Sequence, residues 1–303
     1  MQFGIDIGGT KIAGAVLDAQ GAEIAAARRP NPRGDYPAAL AAVAEVVTEM
    51  AAQCGARPDR IGVGICGIVD AARGEVRFGN APWLTGRPLR DDLETALGAK
   101  VRLANDADCF ALSEARDGAA AGANSAFGLI LGTGVGGGFA HRGVLVTGAR
   151  GVAGEIGHVP MPRADADELS RGPCSCGRHG CVETLLSGPS LGADYARAAG
   201  LATAPDPRAI AARAEAGEAQ AEAALARYVE RLARVLGMLA NLIEPDVIVL
   251  GGGVSNIDRI RRDAEPLVAA HVFGGATDMR LLRNVHGDSS GVRGAARLWK
   301  EGE

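Results

Sequence analysis

The feature that most restricts the fold is a pattern that occurs twice. Phe3-Gly-Ile-Asp-Ile-Gly8-Gly-Thr-Lys-Ile-Ala-Gly14 returns as Phe127-Gly-Leu-Ile-Leu-Gly132-Thr-Gly-Val-Gly-Gly-Gly138, 124 residues further on. Each copy reads as apolar strand, glycine turn and return strand, with Gln2 to Ile7 and Ile12 to Leu17 flanking the first turn. Such a turn presents backbone N–H groups at its tip, and glycine lets an anion approach them. Two copies predict a duplicated α/β fold with nucleotide between the halves. An ordinary hairpin turn is the plain alternative for either copy alone. The first is not a Walker A loop, because Thr10 precedes Lys11. The second also fits the dinucleotide pattern at Gly132, Gly134 and Gly137, yet Gly136-Gly137-Gly138 is a poor helix start and a good return strand, which argues against NAD.

A chain of 303 residues exceeds what one core readily fills, so two lobes are expected. A net charge of -4 leaves no electrostatic footprint for a polyanion, which argues against nucleic acid as partner. No basic, apolar leader opens the chain, and the later apolar run Val235 to Ile243 is too short to span a bilayer. With few cysteines and no membrane segment, the expected compartment is the cytoplasm. Cys54, Cys66 and Cys109 read as small buried hydrophobes.

The stretch Gly154 to Glu183 carries the densest chemistry. His158, Cys174, Cys176 and Cys181 supply one imidazole and three thiols, a closed tetrahedral set for structural zinc. Gly177 and Gly180 suit the tight turns between them. A surface loop of free thiols is the alternative.

Apolar spacing and breakers predict helices at 38–53, 109–116, 190–200, 207–217, 220–243, 256–270 and 291–300. Strands are expected at 60–66, ended by Gly67, and at 101–104 and 246–250, with 76–84 irregular. The strand at 101–104 runs into Asn105-Asp106-Ala107-Asp108, the place where α/β folds put chemistry. One of these polar residues suffices as a helix N-cap, worth about 1 kcal/mol. Gly251 to Gly253 follow the last strand and admit a flat ligand such as adenine, or form a plain strand-to-helix turn.

These motifs together resemble the ROK family of sugar kinases: IDIGGTK at Ile5 to Lys11, LANDAD at Leu103 to Asp108, GTGVGGG at Gly132 to Gly138, GEIGH at Gly154 to His158, CSCGRHGCVE at Cys174 to Glu183 and LGGGVS at Leu250 to Ser255. Within the family the chain is most similar to bacterial fructokinases (mannokinases), through NAPWLTGRPL at Asn80 to Leu89 and HGDSSGVRGAARLW at His286 to Trp299, with N-acetylglucosamine kinases next.

The resemblance implies a ribonuclease H-like, actin and hexokinase type fold in two lobes with a zinc-binding loop. The N-terminal lobe would be 1–119 plus 288–303, and the C-terminal lobe 120–287 would carry the zinc site and part of the ATP site. ATP and sugar are expected to meet in the cleft. Asp106 would be the general base for the sugar's 6-hydroxyl. Gly67, Asn80, Asn105, Asp106, Glu155, His158 and Glu183 would bind the sugar. Asp6, Gly8, Gly9, Thr10, Lys11, Gly132, Thr133, Gly134, Gly136, Gly251, Gly252 and Gly253 would serve ATP, Asp6 through Mg²⁺. His158 would ligate zinc through one ring nitrogen and offer the other to the sugar. Fructose, mannose or glucose is expected ahead of N-acetylglucosamine, and a homodimer is expected. Two positions depart from the family pattern: Cys66 stands where proline is frequent, and Asp108 where asparagine is. A sugar-responsive regulator is the remote alternative, disfavoured because no helix-turn-helix precedes the first strand. A zinc-knuckle nucleic-acid binder is the remaining non-enzyme reading.

Overall fold

In order along the chain the strands are β1 (Gln2–Ile7), β2 (Lys11–Leu17), β3 (Glu23–Pro30), β4 (Arg60–Ile65), β5 (Gly67–Asp70), β6 (Glu75–Gly79), β7 (Lys100–Asn105), β8 (Ser125–Leu131), β9 (Val135–His141), β10 (Val144–Leu145), β11 (Val247–Gly251) and β12 (Arg280–Arg283). The helices are α1 (Tyr36–Cys54), α2 (Leu89–Leu97), α3 (Asp106–Asp117), α4 (Ala166–Leu169), α5 (Glu183–Leu186), α6 (Gly188–Ala199), α7 (Pro207–Glu215), α8 (Ala219–Ile243), α9 (Asp258–Ala264) and α10 (Ser290–Ala296). The computed structural model describes residues 1–70, 73–79 and 81–299. Asn80, one of the expected sugar ligands, lies outside the described residues.

Two five-stranded sheets run β3-β2-β1-β4-β7 and β10-β9-β8-β11-β12. The orders correspond strand for strand, with β1 and β8 central, so the duplication seen in the hairpins extends through both sheets. β1 pairs antiparallel with β2 and parallel with β4, and β8 pairs parallel with β11. By contact the chain divides into one unit of Met1–Gly122, Gly138–Gly154 and Asp288–Glu303 and another of Ala123–Gly137 and Glu155–Gly287. This division differs from the expected lobes, 1–119 plus 288–303 and 120–287, in grouping 138–154 with the first unit. That segment packs with the first unit because Gly138 lies against the start of α3, where a Cβ would come within 2.6 Å of the Ala107 carbonyl.

In the first unit, Ile5, Ile12, Val43, Val46, Met50, Ile61 and Val63 form the center of an apolar cluster between sheet and helix. On the sheet's other face, α10 comes so near that only glycines fit beneath it. A Cβ on Gly4 would stand 2.3 Å from the Val292 carbonyl, and one on Gly62 would stand 1.8 Å from that of Ala295.

In the second unit, α8 is the long apolar helix expected, and two of its arginines are buried. Arg231 and Arg234 meet the buried Glu168 of α4 at 2.7 and 2.6 Å. Burial alone would raise the Glu168 carboxyl, but hydrogen bonds from Arg234 and then Arg231 pull it down to about 2. Asp194 on α6 takes further bonds from Arg171 and Arg227. Buried charges persist when paired and hydrogen-bonded in this way.

Several expected elements differ. The region 76–84 contains β6 and a short 3-10 helix, Pro82–Leu84, so it is not irregular. Gly67 opens β5 instead of simply ending a strand. The helix expected at 256–270 breaks into α9 and a 3-10 segment, Glu265–His271, at Pro266, which lacks the N–H an α-helix needs. α3 begins at Asp106, three residues earlier than expected. Cys109 is buried, whereas Cys54 and Cys66 are only partly so.

Candidate functional site

In the first unit, β1, β4 and β7 run parallel, and their registers align Asp6 with Gly64 and Gly64 with Ala104, one residue before Asn105. Asp6 and the Asn105-Asp106 pair thus lie at the carboxyl ends of neighbouring strands. Burial first, and then the Asp106 charge, push the Asp6 carboxyl up to about 7, against the pull of Lys11. That places two carboxylates and a lysine within electrostatic reach of one another, a set suited to a divalent cation and phosphate.

The polar cluster at the start of α3 has divided its tasks. Asn105 is the N-cap: its Oδ1 accepts from Ala107 N at 2.7 Å, and its Nδ2 donates to the Gly67 carbonyl at 3.0 Å. Asp108 is buried in the first turn. Asp106 stands at the first helical position, half-buried, with Oδ1 accepting from Ala107 N at 2.9 Å.

The turn at Gly8 to Thr10 is tied from behind. Asn31 Nδ2 donates to Gly8 O at 2.7 Å, Arg33 Nε to Gly9 O at 2.9 Å, and Asn31 N to Thr10 O at 3.0 Å. With its carbonyls held, the tip is fixed before any ligand arrives. Sequence reasoning missed Asn31 and Arg33, because their role depends on β3 folding back beside β2.

In the second unit, the turn at Gly132 to Gly134 borders a cavity of about 830 Å³ that Thr133, Pro189, Pro205, Arg208 and Gly253 also line. This volume suits a nucleotide-sized ligand. Of the expected glycines here, Gly253 lines the cavity, whereas Gly252 (φ 81°) lies where a Cβ would meet the Leu131 carbonyl at 2.4 Å. Gly251 ends β11 in the core. β9 is a strand, so the helix that a dinucleotide fingerprint requires is not formed.

Glu155, His158 and Glu183 also belong to this unit. His158 Nε2 lies 4.0 Å from Glu155 Oε2 and its Nδ1 lies 3.3 Å from Cys174 Sγ, so the ring faces a carboxylate on one side and thiols on the other. Burial raises the Glu155 carboxyl, His158 lowers it and Glu183 raises it further. Glu183 Oε2 accepts from Val135 N at 3.1 Å and its Oε1 accepts from Ser175 Oγ at 3.2 Å. It therefore bridges the second glycine turn and the cysteine loop, a bond that sequence did not suggest.

The thiols converge with the imidazole. The ligand atoms of His158, Cys174 and Cys176 lie within 4.8 Å of one another, and Cys176 Sγ is 3.7 Å from Cys181 Sγ. Tetrahedral zinc with bonds of about 2.3 Å sets sulfurs roughly 3.8 Å apart, which the Cys176–Cys181 spacing matches, although Cys181 lies outside the group of three whose donor atoms converge. The backbone N–H of Arg178 leads in pulling the Cys176 thiol down to about 6, whereas burial leads in pushing its neighbour Cys181 up to about 12. α4 lies between His158 and Cys174, and its buried Glu168 pins this loop to α8.

The paired sheets and glycine turns define an α/β protein of the actin and hexokinase type. Residues 2–302 match the ROK family, and the chain belongs to it. It is 39% identical to an N-acetyl-D-glucosamine kinase of Yersinia pseudotuberculosis serotype IB (strain PB1/+), over 98% of each chain. The structure resembles a ROK hexokinase from Thermus thermophilus (TM-score 0.87, 32% identity, 97% and 96% of the two chains). It also resembles a ROK family glucokinase from Streptomyces griseus solved with glucose and AMPPNP (TM-score 0.82, 28% identity, 99% of each chain). No helix among the described residues is long and apolar enough to cross a membrane.

Proposed function

We propose that the chain is an ATP-dependent sugar kinase that phosphorylates the 6-hydroxyl of N-acetylglucosamine. The observation that carries the sugar is the 39% identity, over 98% of both chains, to an enzyme of that name. This reverses the order expected from sequence, in which fructose, mannose or glucose came first, because the full-length likeness outweighs the short fructokinase-like stretches. Asp106 accepts the hydroxyl proton as the sugar oxygen forms its bond to the γ-phosphorus and the bond to the ADP oxygen breaks. Alignment does most of the work in phosphoryl transfer. Mg²⁺, when bound, neutralises phosphate charge, and Asp6 beside Asp106 is the residue that would hold it through water. The turns at Gly8 to Lys11 and Gly132 to Gly136 and the cavity at Gly253 serve ATP. Glu155, His158 and Glu183 hold sugar hydroxyls, carboxylates being strong acceptors for them.

His158, Cys174, Cys176 and Cys181 would hold structural zinc, fixing the ring so that its other nitrogen faces the sugar. The working assembly is a homodimer, with Phe273 (95% exposed) and Leu242 (71% exposed) among the apolar residues available for it; light scattering tests this. For the reaction, ADP release is measured with N-acetylglucosamine, fructose, mannose, glucose and N-acetylmannosamine. N-acetylglucosamine should give the highest kcat/KM. A higher value with fructose or mannose restores the other order, and release with none removes the kinase reading.

A further inference from the structure

Within the first unit, a cavity of about 360 Å³ is lined by none of the residues assigned above to sugar, ATP or metal. Leu103 of β7, Leu112 of α3 and Leu145 of β10 give it an apolar floor, and Arg90, Arg102, Arg116 and Arg297 also line it. No carboxylate among the described residues lines it. Four arginines around one apolar hollow concentrate positive charge in a chain of net charge -4.

Arg90 Nε pairs with Asp91 at 3.0 Å, and Arg102 Nη1 donates to the Leu298 carbonyl at 2.8 Å beside the Trp299 ring. Arg297 gives one Nη2 to Asp117, but its Nε is buried and makes no hydrogen bond among the described residues. Arg116 is exposed and makes no ion pair with a carboxylate among the described residues. Its Nε lies 3.3 Å from where a Cβ on Gly143 would stand, so the glycine leaves room for the guanidinium at the rim. Arginine's planar fork matches phosphate oxygens in pairs, and several arginines favour a dianion over a single carboxylate. The leucine floor favours a ligand with an apolar body over a bare ion.

We propose that this cavity is a second ligand site, for a small organic phosphate monoester with an apolar body. The proposal is independent of the sugar kinase reading.

The test is calorimetric titration of the full chain with phenyl phosphate, with saturating ADP and sugar present so that the glycine turns are occupied. One saturable site is expected. Arg116→Glu and, separately, Leu145→Trp should each weaken it about tenfold or more while sugar-dependent ADP release stays as in the parent protein. Inorganic phosphate and benzoate should each bind at least about tenfold more weakly, the first lacking the apolar body and the second the dianion. Absence of a saturable site, or a site that survives both substitutions, overturns the proposal. Equal affinity for inorganic phosphate or for benzoate overturns the ligand class. Arg116 lies on the surface, so its variant keeps the test valid even where the bulkier tryptophan disturbs folding.

Discussion

The two glycine hairpins share one pattern and have been furnished differently. Asp6 of β1 corresponds to Ile130 of β8, and Lys11 of β2 to Val135 of β9. The first hairpin thus carries its own carboxylate and cation, with Asp6 pushed up toward neutrality by burial and by Asp106. The second is apolar at both positions and borrows a carboxylate from α5, where Glu183 takes the Val135 N–H. Duplication preserved the backbone device, and divergence moved charge between strand and loop. A strand carboxylate needs only its sheet, whereas a borrowed one needs the borrowed loop to be held in place.

The largest effect should come from the charged side of this contrast. Asp106→Asn is expected to lower kcat about a thousandfold while leaving sugar KM within a few-fold, because it removes the proton acceptor and keeps the shape. Steady-state kinetics checks this, and near-normal turnover would take the base assignment away from Asp106.

Next is the anchoring of the borrowed loop. Glu168→Ala leaves Arg231 and Arg234 buried without their carboxylate and should destabilise the protein by about 3 kcal/mol or more in urea titration. The linked pH effect has a definite sign. The Glu168 carboxyl is held near 2 in the fold, below its ordinary 4.5, so its contribution is complete above pH 4.5 and is lost as pH falls toward 2.

Gly14 and Gly138 occupy corresponding places in the two hairpins. A Cβ on Gly138 would press on the Ala107 carbonyl of α3, whereas one on Gly14 would meet the ends of the Val46 and Met50 side chains. Gly138→Ala should therefore cost about 2 kcal/mol, and Gly14→Ala less, because Met50 can move and backbone cannot. Chemical denaturation of both variants ranks them.

The smallest effect is a slope. Asp6 holds its proton up to about pH 7 in the fold and loses it near 3.8 when unfolded, so between those values stability falls as pH rises. Asp6→Asn should flatten the Mg²⁺-free stability profile between pH 5 and 7 by up to about 1.4 kcal/mol per pH unit, read from melts at fixed ionic strength. An unchanged slope would mean that Asp6 titrates normally.

Much of this was legible in the residues. The hairpin repeat, the strand before Asn105-Asp106 and the cysteine cluster are local signals, each set by periodicity, glycine or donor chemistry within a few positions. Less legible was which polar residue at the α3 start does what. Capping chemistry allows Asn105, Asp106 or Asp108, and only the register of β4 and β7 brings Gly67 within reach of Asn105 Nδ2. Gly138 belongs to a continuous glycine run that reads as a return strand, with nothing local to say why glycine is needed there. Its reason is a helix crossing beneath it, which no local pattern records.

The sequence by itself determined the duplicated α/β frame, the positions of both glycine turns and the donor types at the cysteine loop, because these follow from period, turn chemistry and ligand preference. Tertiary structure alone decided that Glu183 reaches Val135 and that Arg231 and Arg234 neutralise Glu168. It also decided that Arg297 and Arg116 border one hollow. Those pairings join residues up to 181 positions apart, and only the packing of helices on sheets determines which distant side chains share a space.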